Sequence, residues 1–570
     1  MSRYRFDAAV GGPEPSIDAT WGRVARALAA AEPADRPFWE RSFAEALADF
    51  RFLPGGRILA GAGTGRRVTL FNCFVMGTIE DSLDGIFDAL REGALTMQQG
   101  GGIGYDFSPL RPAGKPADAA GTIASGPVSF MHVWDAMCAT VQSTGARRGA
   151  MMATLRCDHP DIEAFIAAKR QPGTLTRFNL SVLVTDSFLS AVDTDAEWPL
   201  VFPAEGAGRR TLRTVRARAL WESLVRTAYE CAEPGVIFID RVRALDNLGY
   251  AERIGATNPC GEIPLPPYGA CDLGSLNLTR FVSAPFTPAA RLDVAALART
   301  AQVAVRMLDD VYEVSGFPLP QQAEAARASR RLGLGITGLA DALIMLGVRY
   351  DSEAARRIAA DAMRHIAEAA YSASIELARE KGAFPLFDRD GYLAGPFVRA
   401  LPSALQARVA RDGIRNSHLT AIAPAGTISL LAGNVSSGLE PVYALSYERG
   451  IRQGDGTVAR VPVECYALAE HARLRGRGLP LPEAFVAVDQ VSPDAQLEMQ
   501  AVLQAHVDNA IAKTVNVRAD IPFDEFAATY RRAYALGLKG CTVFRPNLVT
   551  GAVLSALPTA ERCCDLPGAD

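Results

Sequence analysis

The sequence predicts an α/β fold. From residue 67 onward, short apolar runs of strand length alternate with longer segments of helical periodicity, and no fixed-period repeat interrupts them. At 570 residues, 49% of them hydrophobic, the chain is long enough to bury a substantial core. Residues 16–52 read as helical: Asp18 is a candidate N-cap, and Val24, Leu28, Phe38, Phe43 and Leu47 recur at helix-like intervals. The Gly-rich stretch from Arg51 to Gly65 ends this small region. Strands are predicted at 68–76, 179–184, 198–202, 235–239 and 419–423. Helices are predicted at 84–98, 127–142, 160–169, 217–231, 294–313, 352–380 and 493–513. Ser492-Pro493 supplies a hydroxyl cap and a proline at the first position of the last helix. The stripe Ile358, Ala362, Ile366, Ala369, Ala373 and Leu377 reads as a packing face. Residues 546–570, rich in Pro and Ala, read as a flexible tail. The domain boundaries expected are 1–52, 53–545 and 546–570.

Composition narrows the function. A net charge of −4 supports neither a nucleic-acid-coating surface nor a strongly basic membrane patch. No apolar run reaches membrane-spanning length, and the N-terminus lacks a signal-peptide core, so a cytoplasmic protein is expected. The ten cysteines form no CxxC pair, and the six histidines form no HExxH, so no metal centre is expected.

The most informative stretch is 257–278. It places a thiol, Cys260, two residues from the amide Asn258 and two from the carboxylate Glu262; Cys271 follows. Prolines at 259, 264, 266 and 267 exclude a regular helix. In an extended loop, alternate side chains share one side, so Asn258, Cys260 and Glu262 would face one volume.

Other motifs carry weaker signals. Gly333-Leu-Gly-Ile-Thr-Gly338 matches GxGxxG, but a helical segment precedes it, which favours close backbone packing over a dinucleotide cradle. Gly100-Gly-Gly-Ile-Gly104 is either a flexible turn or a close approach to a ligand. Pro424-Ala-Gly-Thr-Ile-Ser429 follows an apolar run and offers N–H groups and hydroxyls to phosphate, in competition with a plain turn. Arg147-Arg148 reads first as solvated surface, and Cys73 in Phe71-Asn-Cys-Phe-Val first as inert core.

Taken in order, these pieces resemble the large catalytic chain of ribonucleotide reductase, closest to its adenosylcobalamin-dependent class. The resemblance runs from about residue 50 to 545. It includes Phe-Asn-Cys73-Phe-Val, Asp81-Ser-Leu-Asp, Gly-Gly-Gly-Ile-Gly104, Ser125-Gly-Pro-Val-Ser-Phe, Arg-Arg148-Gly149-Ala and His159-Pro-Asp-Ile-Glu. It continues through Asn258-Pro-Cys-Gly-Glu262, Cys271-Asp-Leu-Gly-Ser-Leu-Asn-Leu, Gly-Leu-Gly335-Ile-Thr-Gly-Leu-Ala-Asp and Pro424–Ser429. The resemblance implies a ten-stranded α/β barrel of two antiparallel five-stranded halves, with a central finger loop and a small helical region before it.

It also implies site roles. Cys260 matches the thiyl-radical cysteine, Glu262 the base for the ribose 3′-hydroxyl, and Asn258 the amide that orients the sugar. Cys73 and Cys271 match the redox pair. Asn72, Gly102 and Pro424, Ala425, Gly426, Thr427 and Ile428 match substrate positions, with Gly56 near the phosphates. Asp81, Ser82, Leu83 and Arg111 match a specificity site for a deoxynucleotide or ATP effector, and the Arg147–Arg148 loop, read above as surface, matches its relay. The implied activity is reduction of ribonucleotides to deoxyribonucleotides, for DNA synthesis and repair, with thioredoxin or glutaredoxin as reductant. Cys563 and Cys564 would shuttle electrons, although the family's tail cysteines are spaced apart. The segment Lys539-Gly-Cys-Thr-Val-Phe-Arg545 lacks the adjacent tyrosines that receive a radical from a separate subunit, which leaves adenosylcobalamin as cofactor. With about 50 residues before the barrel, no ATP-sensing cone is expected. A class using a separate metal subunit, an inactive nucleotide-binding homologue, homodimerisation, and diphosphate against triphosphate substrate stay open.

Overall fold

The computed structural model describes residues 12–116, 123–141, 149–203, 208–452 and 458–547, with short strands at 7–8 and 555–556. Its centre is a ten-stranded sheet. In chain order the strands are β1 (Phe52–Pro54), β2 (Cys73–Val75), β3 (Gly102–Asp106), β4 (Met151–Arg156), β5 (Phe178–Val184), β6 (Gly235–Phe238), β7 (Ala270–Asn277), β8 (Leu332–Thr337), β9 (Thr514–Asn516) and β10 (Gly540–Phe544). The runs β2-β3-β4-β5-β6 are parallel neighbours. So are β7-β8 and β9-β10. The joins β7-β2 and β6-β10 are antiparallel. β1 adds antiparallel to β7.

The ring closes without a full strand. Residue Thr420 bridges Leu334 of β8, and Ile422 bridges Ile511 just before β9, both in parallel. Hydrogen bonds reinforce this seam: Leu334 N to Leu419 O at 2.9 Å, Ala421 N to Leu334 O at 3.1 Å, and Ala512 N to Ile422 O at 2.9 Å. The result is the expected barrel of two antiparallel halves, β2–β6 in one and β7, β8, β9 and β10 in the other, where the segment expected as a strand over 419–423 makes only isolated bridges between β8 and the residues before β9. β7 is buried along its whole length, as a strand covered on both faces must be.

The helices are α1 (Ile17–Ala29), α2 (Arg36–Leu47), α3 (Leu83–Gln98), α4 (Ala217–Cys231), α5 (Val294–Val314), α6 (Leu339–Met345), α7 (Glu353–Lys381), α8 (Gly426–Leu431), α9 (Tyr466–Arg475) and α10 (Pro493–Gln504), among others. Three expectations need correction. Ser16, not Asp18, caps α1, accepting from Ala19 N. The helix expected over 493–513 stops at Gln504, because Asp508 turns its carboxylate onto the backbone of Leu419 and Thr420. The strand expected over 68–76 shrinks to Cys73–Val75, since Leu70 N bonds the Ser315 hydroxyl instead of a neighbouring strand. The N-terminal helices are pinned to the barrel by a buried cluster. Arg306 makes two 2.6 Å bonds to Glu32 and lies over the Trp39 ring, while Lys381 joins Glu32 to Asp310.

Candidate functional site

The loop carrying Cys260 is a hairpin held inside the barrel. Ala256–Thr257 pairs antiparallel with Pro264–Leu265. Its tip is a tight turn and not the extended run expected from sequence. Gly261 N donates to Asn258 O at 3.1 Å with Pro259 at the second position, and Gly261 adopts φ +86°, where glycine is favoured. The Asn258 side-chain oxygen accepts from Ile263 N at 3.0 Å and from the Thr257 hydroxyl at 3.1 Å.

Surrounding strands clamp the hairpin. Asn179 of β5 donates to Pro259 O at 2.7 Å, Arg331 to Pro264 O at 2.9 Å, and Ala510 N to Glu262 O at 3.0 Å. Glycine at 104 is required by this approach: a Cβ there would stand 1.9 Å from Thr257 O. At Gly102 a Cβ would stand 3.2 Å from Pro259. The glycine-dense stretch thus makes room for the loop itself.

The turn still gathers the expected groups. Asn258 Nδ2 lies 3.2 Å from Cys73 Sγ, and Cys73 Sγ lies 4.0 Å from Glu262 Oε1. Cys73 and Cys271 sit directly opposite one another across β2 and β7. Antiparallel partners have Cα atoms roughly 4.5–5.5 Å apart, within the range a disulfide spans. Neither is in a disulfide. Burial pushes the Cys271 thiol well up, reinforced by Asp272 and Cys73, so it stays protonated. Asn258, Glu262, Cys73 and Cys271 are all buried, whereas Cys260 at the tip is exposed. The arrangement offers one accessible thiol on the turn and a buried pair of thiols, one of which meets a carboxylate and an amide from that same turn.

The remaining expected positions fall in two places. Asn72 and Gly102 lie beside the loop, where Gly102 N donates to Asn72 O at 2.9 Å, and Gly56 opens a short helix near Asn72. Pro424 and Ala425 lead into α8, whose first residues Gly426 and Thr427 are exposed. Away from this cleft, Arg111 Nε bonds Asp81 at 2.8 Å, Ser82 caps α3, and Leu83 is exposed. Arg147, Arg148, Cys563 and Cys564 lie outside the described residues. Gly333 and Gly335 lie within β8, and a Cβ at 335 would stand 2.1 Å from Ala421 O, so this motif serves backbone packing as expected.

Sequence reasoning missed the floor under the hairpin. Arg331 pairs there with Glu252, and His418 lies 3.2 Å from Asp246. Lys539, fully enclosed, donates to the carbonyls of Asp508, at 2.7 Å, and Asn509. The charge-dense pair Arg330-Arg331 directly before an apolar strand was the available signal. Burial drives the Lys539 ammonium down to about 8 from its ordinary 10.5; Asp508 and Asp246 oppose this, and Arg331 adds to it. With the folded value depressed, its stabilising contribution is full above pH 10.5 and is lost as pH falls through about 8. Thermal midpoints of the native chain should therefore gain on those of Lys539→Met as pH rises from 8 to 10.5. A pH-independent difference would contradict this.

Among the described residues, no helix is long and apolar enough to cross a membrane, and no three His, Cys, Asp or Glu gather as a metal site. Residues 71–544 match the family model for the ribonucleotide reductase barrel domain, and residues 1–67 that for the ribonucleotide reductase all-alpha domain. The chain is 40% identical over 582 aligned positions, 97% of its own length and 79% of the relative's, to the vitamin B12-dependent ribonucleoside-diphosphate reductase of Mycobacterium tuberculosis (strain CDC 1551 / Oshkosh). It is 35% identical to the protein so named in Thermoplasma acidophilum, covering 91% of this chain and 66% of the relative. It is 28% identical to the vitamin B12-dependent ribonucleotide reductase of Streptomyces clavuligerus, covering 92% and 61%. A two-half barrel, a hairpin clamped by its strands with a thiol at the tip, and two cysteines in register on neighbouring strands agree with these matches, and the chain belongs to the ribonucleotide reductase family.

Proposed function

We propose that the protein reduces ribonucleoside diphosphates to 2′-deoxyribonucleotides with adenosylcobalamin as radical source. The observation that carries this reading is the buried pair Cys73–Cys271 in strand register, with Glu262 and Asn258 from the Cys260-bearing turn both reaching Cys73. The exposure of Cys260 fits a bulky cofactor, because the thiol is reachable from one side while the rest of the site is enclosed. When bound, adenosylcobalamin supplies a homolytically labile carbon–cobalt bond, by which Cys260 loses its hydrogen atom.

The Cys260 sulfur then removes the ribose 3′ hydrogen. Glu262 takes the 3′-hydroxyl proton, within a dry site that strengthens general-base action. Asn258 orients the sugar hydroxyls. The 2′-hydroxyl leaves as water with a proton from the Cys73–Cys271 pair. That pair gives up two protons and two electrons in all and becomes a disulfide, so ribose hydroxyl plus two thiols yields deoxyribose, water and disulfide. Cys260 finally returns the hydrogen to C3′. The protonated state that burial imposes on Cys271 suits it to donation.

Pro424–Ile428 hold the diphosphate, with Asn72 and Gly102 beside the ribose. Asp81, Ser82, Leu83 and Arg111, with Arg147 and Arg148, bind and relay a deoxynucleotide or ATP effector. Thioredoxin or glutaredoxin renews the dithiol through Cys563 and Cys564. The boundaries 1–52, 53–545 and 546–570 are retained as the working domain division, and the protein is assigned to the cytoplasm. Cytidine diphosphate with a thioredoxin system should yield deoxycytidine diphosphate only when adenosylcobalamin is added. Turnover that instead requires a separate iron or manganese protein would overturn the cofactor assignment.

A further inference from the structure

The glycine-rich motif ends in Asp341, for which the chemistry above has no use. Asp341 is fully buried, and burial pushes its carboxyl up to about 6 against the pull of its donors. Those donors come from two separate segments. Ser436 N bonds Oδ2 at 2.6 Å, and Ala467 N, in the first turn of α9, bonds Oδ1 at 2.8 Å.

Ser436 is held from every side by the same turn. Its hydroxyl accepts from Ala340 N at 3.1 Å, and its carbonyl accepts from Gly338 N at 2.7 Å and the Thr337 hydroxyl at 2.9 Å. Gly338 sits at φ +75°, with a Cβ position 2.9 Å from Asn277 Oδ1, so only glycine turns β8 into α6 here without strain.

The 434–437 loop anchored in this way grips the start of α8. The Ser437 hydroxyl accepts from Ala425 N at 2.8 Å, and Asn434 N and Val435 N both donate to Ser429 O, at 2.9 and 3.2 Å. Asp341 therefore stands two residues of contact away from the segment 424–428, with no exposed group between.

We propose that Asp341, acting through Ser436 and Ser437, is the positioning residue that fixes the 424–428 segment for the substrate's diphosphate. This rests on the assignment of that segment to the diphosphate made above. A carboxylate suits the task because it accepts two backbone N–H groups at once. An asparagine in its place keeps one acceptor and turns an amide donor toward the other N–H.

The test uses the full-length protein, with calorimetric titration of cytidine diphosphate and steady-state kinetics on the cobalamin-loaded enzyme. Asp341→Asn and Ser437→Ala should each weaken diphosphate binding about 3- to 10-fold, the loss of one neutral hydrogen bond's worth of order. KM should rise by the same factor while kcat at saturation holds. Ser437→Ala decides the matter if Asp341→Asn does not fold, because it removes a single half-buried hydroxyl. Unchanged binding and KM in both variants, or a fall in kcat at constant KM, overturns the proposal. Gly426→Asp places a negative charge in the segment itself. If that variant loses diphosphate affinity while the two positioning variants do not, the inference fails and the diphosphate assignment stands. If Gly426→Asp binds normally, the assignment itself fails.

Discussion

Cys260→Ala is expected to reduce deoxynucleotide formation to background while the protein remains folded. The turn that presents Cys260 is built from main-chain and amide groups: Gly261 N on Asn258 O, and Ile263 N on the Asn258 side chain. Truncating an exposed side chain on such a frame should shift stability by only about 0.5 kcal/mol or less. Activity, in contrast, has no substitute for this sulfur. Cys73 and Cys271 lie buried, opposite one another on neighbouring strands. Product chromatography together with the thermal midpoint checks both halves. Turnover at a tenth of the native rate would move the radical role to another residue.

Glu262→Gln should lower kcat by about 10²- to 10⁴-fold, the usual worth of a positioned general base, with substrate affinity little changed. The replacement keeps size and shape. The backbone there is fixed independently of the carboxylate, because Glu262 O accepts from Ala510 N at 3.0 Å. Glu262 is only 1% exposed, so solvent is a poor replacement base. Single-turnover rates with the dithiol pre-reduced isolate this step from reductant delivery. A loss of less than tenfold would remove Glu262 from proton transfer.

The helices were the most legible part of the chain. The segment 217–231 coincides with α4, because its apolar spacing is regular and nothing outside it competes for its backbone. Where a distant side chain does compete, periodicity misleads. Apolar residues continue past Gln504, yet Asp508 accepts from Leu419 N, Thr420 N, Tyr371 OH and Asn509 N, and it breaks the helix. The barrel was not readable from spacing, since the antiparallel joins pair strands far apart in sequence, Cys73 with Cys271 and Val236 with Cys541. Ordered motifs supplied it by resemblance.

The candidate site shows the same division. The proximity of Asn258 and Glu262 was visible locally, although a turn and not an extended run brings both to Cys73, while Cys260 between them in sequence is exposed. That Cys73 would face Cys271 had no local signal at all, because strand register is a property of the folded sheet. Of the floor residues, Asp508 and Lys539 carry no local signal of their burial, which only the folded barrel imposes.

The seam that closes the barrel also sets an order in time. The hairpin at 256–265 and the β7 strand that bears Cys271 emerge early during synthesis. The pieces that shut the ring, 418–422 and 508–512, emerge some 150 to 250 residues later. Such distant pairings form late. Until then the contacts that close the ring cannot form. A chain halted before residue 508 would therefore carry Cys73, Cys260 and Cys271 without the segments that close the barrel around them.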